Sequence, residues 1–126
     1  MLRIELDLPF PTSTNRLWRI AGRRLINSRE YESWKRSADV AYYQQFSKKR
    51  PQRLGSFDIT VILDSKRRGQ SDGDNRLKSL MDWLQRAGVI ANDCGADEIH
   101  VIWGEAPEGC RVVLEGEPLA SAAFFK

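Results

Sequence analysis

Cysteine and histidine are scarce in this chain: Cys94, Cys110 and His100 are all that 126 residues contain. The two cysteines show neither CxxC spacing nor a paired pattern, which excludes a disulfide scaffold and predicts two reduced thiols. Without a His/Cys cluster there is no zinc site. No apolar run approaches the roughly 18 residues that span a bilayer, so no membrane association is expected. The opening Met1-Leu2-Arg3-Ile4-Glu5 lacks the build of a secretory signal, and a cytoplasmic location is expected. There is no internal repeat, low-complexity tract or long linker. The length fits one domain of about 100–150 residues, taken here as 1–126, with a tail over 118–126 whose Phe124 and Phe125 have no assigned packing.

What the chain does have is a core and an uneven charge. Hydrophobic residues make up 41% and charged residues 29%, within the range of ordinary soluble domains. The net charge of +3 hides a division. Residues 1–53 carry 12 Lys/Arg against 5 Asp/Glu, and residues 54–126 carry 8 against 12. A basic half beside an acidic half suggests one surface for a polyanion and a separate cluster of carboxylates. The plainer alternative is a dipolar but inert surface.

Periodicity supplies the elements. Leu2, Ile4, Leu6 and Leu8 alternate with polar residues and predict a half-buried strand. Pro9-Phe10-Pro11-Thr12-Ser13-Thr14-Asn15 cannot continue it, because two prolines remove ladder donors; an extended arm or turn is expected. Arg16, Arg19, Arg23 and Arg24 follow, with Leu17, Trp18 and Ile20 between them. Asn27 and Glu30 have the spacing of a capping box for a helix reaching about Phe46, buried through Tyr31, Trp34, Ala38, Ala41 and Tyr42. Lys48-Lys49-Arg50-Pro51 is expected to close it. A strand over Phe57–Asp64 and a polar loop over Ser65–Gly73 come next. Leu77, Leu80, Met81, Leu84 and Ala87 define a second helix, with Gly88 as its C-terminal glycine. Two strands, Glu98–Glu105 and Cys110–Glu115, flank the turn Ala106-Pro107-Glu108-Gly109. The order β-α-β-α-β-β predicts an α+β fold, a mixed sheet with two main helices packed on it.

The chemistry concentrates between the second strand and the second helix. In an extended stretch, residues i and i+2 point the same way, so Asp72 and Asp74 of Asp72-Gly73-Asp74-Asn75 can present two carboxylates to one cation. Hard divalent cations such as Mg²⁺ take such oxygen ligands and keep several waters. The structural alternative is helix capping by Asp74 or Asn75. Lys78 lies four residues after Asp74 and four before Asp82, on the face opposite the leucines. Beside a metal it would hold a phosphate or offset growing negative charge; otherwise it belongs to a surface ion-pair ladder. For Asp82 the ladder is the preferred reading. Asp93, after the helix, is a third candidate ligand. A helix over 75–87 spans roughly 20 Å, whereas five residues beyond Gly88 reach back at most about 17 Å. Two subunits packed antiparallel would instead place Asp93 of one beside Asp72 and Asp74 of the other, so a metal site shared across a dimer is expected. His100 is expected to face outward from a strand and is not chosen as a base.

At these residues the sequence resembles the RusA family of Holliday junction resolvases. Leu8-Pro9-Phe10-Pro11-Thr12-Ser13-Thr14-Asn15-Arg16 is similar to the family's N-terminal proline-and-asparagine signature. Asp72-Gly73-Asp74-Asn75 with Lys78 is similar to its DxDN-x-x-K motif. Ala87-Gly88-Val89-Ile90 followed by Asn92-Asp93 is similar to its helix exit and third acidic residue. The resemblance implies an intertwined homodimeric α/β fold, Mg²⁺-dependent phosphodiester hydrolysis with Mn²⁺ as a substitute, and paired nicks in a four-way DNA junction. It implies Asp72, Asp74 and Asp93 as catalytic carboxylates and metal ligands, with Lys78 as supporting base or phosphate contact. Two departures matter. Lys66-Arg67-Arg68 is separated from Asp72 by Gly69-Gln70-Ser71, where the family often has an arginine run directly before its aspartate. Asn92 stands where an aspartate is common, leaving one fewer ligand.

Branched DNA presents dense phosphates, and Lys/Arg contacts to them dominate affinity. Lys66, Arg67 and Arg68 are placed to guide a backbone toward the metal; Asn15, Arg16, Arg19, Arg23 and Arg24, with Trp18, are placed to clasp a second arm. Their alternative is a solvated basic edge. Two other functions compete: a non-catalytic module binding branched nucleic acid, and a nuclease for flaps or other branched DNA.

Overall fold

The computed structural model describes residues 1–12, 29–69 and 76–119 in full, and residues 18–21, 24–27 and 70 by their backbone. Strand β1 (Leu2–Leu8) is followed by a short hairpin, β2 (Trp18–Ala21) and β3 (Arg24–Asn27). Helix α1 (Arg29–Gln45), strand β4 (Leu54–Asp64), a 3-10 helix (Ser65–Gln70) and helix α2 (Leu77–Ala87) come next. A 3-10 turn (Asp93–Gly95) then leads into β5 (Ala96–Gly104) and β6 (Cys110–Pro118). The main sheet has the order β1-β6-β4-β5, with β5 parallel to β4 and the other pairs antiparallel. A mixed four-stranded sheet with two helices is the α+β fold expected. Parallel neighbours need a crossover, and β4–α2–β5 provides it. No helix among the described residues is long and apolar enough to cross a membrane.

Alternation sorts one face of the sheet into the core. Ile4, Leu6 and Leu8 of β1, Phe57, Ile59, Val61 and Leu63 of β4, and Cys110, Val112 and Leu114 of β6 are all buried. From α2 come Leu80, Met81, Trp83 and Leu84; from α1, Tyr31, Trp34, Ala38 and Tyr42. Trp83 joins the helices: its ring meets Trp34 and Tyr42 edge-on at 6.2 and 5.7 Å, and its Nε1–H donates to Asp39 Oδ1 at 2.9 Å. The spacing of Leu77, Leu80, Met81, Leu84 and Ala87 left out Trp83, which lies on the α1 side of the helix. Both cysteines are free thiols, Cys94 exposed and Cys110 buried. Burial, with a smaller contribution from Asp7, pushes the Cys110 thiol up to about 12.

Several boundaries differ from expectation. The β2–β3 hairpin was not anticipated. Asn27 is the last residue of β3, paired with Trp18, so it is not positioned as the cap of a helix that begins at Arg29. The cations at 48–50 lie beyond the end of α1, whose last turn has no basic residue. The helix stops at Gln45 as that side chain turns to the edge of β1, accepting from the Asp7 N–H at 2.8 Å and donating to the Asp7 carbonyl at 2.7 Å. Strand β4 starts three residues early at Leu54, where it pairs with Pro118 of β6; Leu54 N–H also donates to the Val89 carbonyl and Ala91 N–H to the Leu54 carbonyl. The first half of the predicted polar loop is the 3-10 helix, started by Asp64 Oδ1 accepting from Lys66 N–H at 3.1 Å. Strand β6 continues through Pro118, and Leu119 N–H donates to the Arg53 carbonyl at 2.7 Å; Phe124 and Phe125 lie outside the described residues.

Candidate active site

Helix α2 carries the site on its exposed side. Its C-terminal end is fixed: Gly88 has φ 82°, its N–H donates to the Gln85 carbonyl at 3.2 Å, and Val89 N–H donates to the Leu84 carbonyl at 3.0 Å. This is the Schellman pattern, with Val89 and Leu84 both buried behind it. From Gly88 the chain doubles back over the end of β4. Asn92 Oδ1 then accepts from Cys94 N–H at 3.0 Å and starts the 3-10 turn, and Gln85 Oε1 accepts from Asp93 N–H at 3.2 Å.

The result is a groove of about 470 Å³ lined by Leu77, Lys78, Met81, Asp82, Asp93, Cys94 and Ile99. Lys78 and Asp93 therefore line the same groove in a single chain. Helix α2 has 11 residues and is about 16 Å long; the expected reach of Asp93 toward Asp72 and Asp74 involves two residues that lie outside the described ones. Lys78 is 56% exposed, with Nζ 3.8 Å from Asp82 Oδ2; the ladder read for Asp82 is present, and this loose exposed pair contributes little to stability. Asp93 is exposed, and its carboxylate has no hydrogen-bond or ion-pair partner among the described residues.

The other predicted residues divide into two groups. Asp72, Asp74, Asn15, Arg16 and Arg23 lie outside the described residues, as do the side chains of Arg19 and Arg24, whose backbones stand in β2 and β3. Among the described residues no three His, Cys, Asp or Glu side chains gather as a metal cluster. Lys66, Arg67 and Arg68 are exposed on the 3-10 helix that enters segment 71–75. His100 is exposed and faces away from the groove that its neighbour Ile99 lines; its Nε2 sits 3.3 Å from Glu98 Oε1. Asn92, where the resemblance expected an aspartate, uses its side-chain oxygen as a cap.

Sequence reasoning missed Arg76 and Gln85. Arg76 is the N-cap residue of α2 and makes no side-chain capping bond; instead its Nη1–H donates to the Pro11 carbonyl at 2.8 Å. A cation at the positive end of a helix dipole opposes the usual preference, and that misfit was the available signal. Gln85 had none, because its role depends on the chain's return path.

A family model described as Endodeoxyribonuclease RusA matches residues 9–115. A crossover junction endodeoxyribonuclease RusA of Aquifex aeolicus (strain VF5) is 37% identical over 105 residues, covering 81% of each chain. A crossover junction endodeoxyribonuclease of Enterobacteria phage HK97 is 33% identical over 125 residues, covering 96% of this chain and 99% of the relative. Fold and match together define a small α+β nuclease class. This chain belongs to the RusA family.

Proposed function

We propose that this protein is a Mg²⁺-dependent structure-specific endodeoxyribonuclease that resolves Holliday junctions by paired symmetric nicks, as a homodimer, in recombination and repair. The single observation that carries the reading is the groove in which Lys78 and an Asp93 carboxylate without a partner among the described residues share a wall, inside the span matched by the family model. Aspartate oxygens fit a hard divalent cation. Asp72, Asp74 and Asp93 would hold Mg²⁺, with Mn²⁺ as substitute; when bound, the ion acidifies a water and offsets charge on the phosphate. Lys78 contacts a phosphate oxygen and stabilises the charge that grows as the bond breaks. Gln85 fixes the backbone from which Asp93 projects. Lys66, Arg67 and Arg68 grip the approaching strand, and the arginines at 16, 19, 23 and 24 take a second arm. The whole of residues 1–126 acts as one endonuclease domain, working on cytoplasmic DNA. A two-fold junction matches a two-fold dimer, and sharing the acidic set between subunits remains part of this proposal.

The test is incubation of synthetic four-way junction, flap and linear duplex with Mg²⁺, Mn²⁺ or EDTA. Metal-dependent cutting of the junction in preference to the others supports resolution. Cutting of linear duplex as fast as junction defeats the resolvase assignment and leaves a nuclease. Binding without cutting under every metal condition leaves the non-catalytic module. Mixed heterodimers address sharing: Asp72→Asn in one subunit with Asp93→Asn in the other retains one intact site only if the site is built across the interface.

A further inference from the structure

The strap between β1 and the hairpin is held more firmly than a proline-rich arm requires. Three carbonyl contacts tie it down: Trp34 Nε1–H donates to Pro9 at 3.0 Å, Arg76 Nη1–H to Pro11 at 2.8 Å and the Ser79 hydroxyl to Thr12 at 2.7 Å. On the other side the β5–β6 turn presses against it. Gly109 has φ 125°, and a Cβ there would lie 2.4 Å from the Phe10 nitrogen, so only glycine allows the approach. Between these restraints stands the half-buried Phe10 ring. Trp103 stacks on it with centroids 6.3 Å apart and planes 27° from parallel.

Two guanidiniums share this ring. The Arg67 carbon lies 4.8 Å and the Arg76 carbon 4.7 Å from its centroid. Less than about 10 Å therefore separates them. Arg67 precedes segment 71–75 in the 3-10 helix and Arg76 follows it directly. One aromatic ring thus holds both flanks of the segment that carries Asp72 and Asp74. An aliphatic side chain would fill the same volume but would lack the negative ring face that attracts a cation. Arginine suits phosphate, which it binds in a forked geometry that lysine does not reproduce.

The geometry points to Phe10 as a positioning residue: it holds Arg67 and Arg76 as a paired clamp for the phosphodiester backbone on either side of the acidic segment. The inference rests on the nuclease reading and names what sets the spacing of its phosphate contacts. Phe10 itself touches no DNA; it acts through the two arginines.

The experiment compares Phe10→Leu, Phe10→Tyr and Phe10→Trp with Arg67→Gln, Arg76→Gln and the double arginine variant. Binding to a four-way junction and to linear duplex is measured in EDTA from low to moderate salt, so that cleavage plays no part. Each lost phosphate contact lowers the slope of log K against log salt by about one. Phe10→Leu is expected to weaken binding about tenfold and flatten the slope by one to two. Aromatic replacements are expected to restore both, and Phe10→Leu to add little to the double arginine variant. A wild-type slope in Phe10→Leu, or aromatic variants no better than leucine, overturns the clamp. If Phe10→Leu does not fold, the aromatic and arginine variants decide together: unchanged slopes in both arginine variants overturn it, and losses in both with a wild-type slope kept by Phe10→Tyr and Phe10→Trp uphold it. Because the slope can be read on duplex as well as junction, a protein without junction preference would defeat the resolvase reading while leaving the clamp standing.

Discussion

The two ends of α2 are built on opposite plans. The C-terminal end is closed: a left-handed glycine, two backbone bonds and a buried Val89–Leu84 contact satisfy its carbonyls. The N-terminal end has no side-chain cap from its own N-cap residue, and its arginine reaches back to the strap instead. Local stability is concentrated where the helix hands the chain back to the sheet. At the other end, beside the acidic segment, stabilisation comes from distant parts of the chain, Phe10 and Pro11 among them. The difference teaches that the end remote from the predicted metal-binding pair is closed by its own sequence neighbours, and that the other end is held by tertiary contacts to the strap.

Substitutions at the two ends should therefore separate activity from stability. Asp93→Asn is expected to reduce junction cleavage by at least about a hundredfold, with melting temperature unchanged and binding in EDTA retained; gel-based cleavage and a thermal melt check both. Cleavage within a few-fold of wild type would remove Asp93 from the acidic set. Lys78→Ala is expected to cost about ten- to a hundredfold in cleavage rate, partly recovered by Lys78→Arg, again with little change in melting because the Asp82 pair is exposed. Gly88→Ala reverses the pattern. Forcing a Cβ into φ 82° near the Arg53 guanidinium should cost about 1–2 kcal/mol of stability, read as a lowered denaturation midpoint, while cleavage per folded molecule stays at the wild-type rate. Gln85→Ala is the mildest and the most diagnostic. Loss of the bond to the Asp93 N–H should cost about 0.5–1.5 kcal/mol and slow cleavage a few-fold, since a residue in the closed end positions a carboxylate of the open groove. An effect on stability alone would mean that the two ends are independent.

Much of the fold could be read from the residues. Period-two runs located β1, most of β4 and β6, and the leucine spacing with Gly88 located α2 almost to the residue. The hairpin at 18–27 was not legible because it is four residues a side and interleaved with arginine, too short for alternation to stand out. The extension of β4 to Leu54 rests on Pro118 of β6, with Val89 and Ala91 bonded to Leu54 as well, partners more than thirty residues away that local patterns cannot reveal. For the site, Lys78 and Asp93 were chosen by residue type and spacing, and the structure puts them on one groove. The reach estimate concerned Asp93 against Asp72 and Asp74, and those two lie outside the described residues. In the sequence, Phe10 stands out only as part of a proline-rich signature. Its ring acquires a role through Arg67, Arg76 and Trp103, which converge on it from three separate segments.

The amide of Gln45, engaged on both the N–H and the carbonyl of Asp7, has a consequence for assembly. It fills a rung that an incoming strand would need, so the β1 margin of the sheet is blunted by the protein's own side chain. The opposite margin is β5, last in the strand order and carrying Ile99 and Ile102 exposed on its two faces. A sheet with one stopped margin can be extended from one direction only. Two such molecules joined margin to margin leave stopped edges outermost, so growth by strand addition ends at a pair and cannot run on into a fibre.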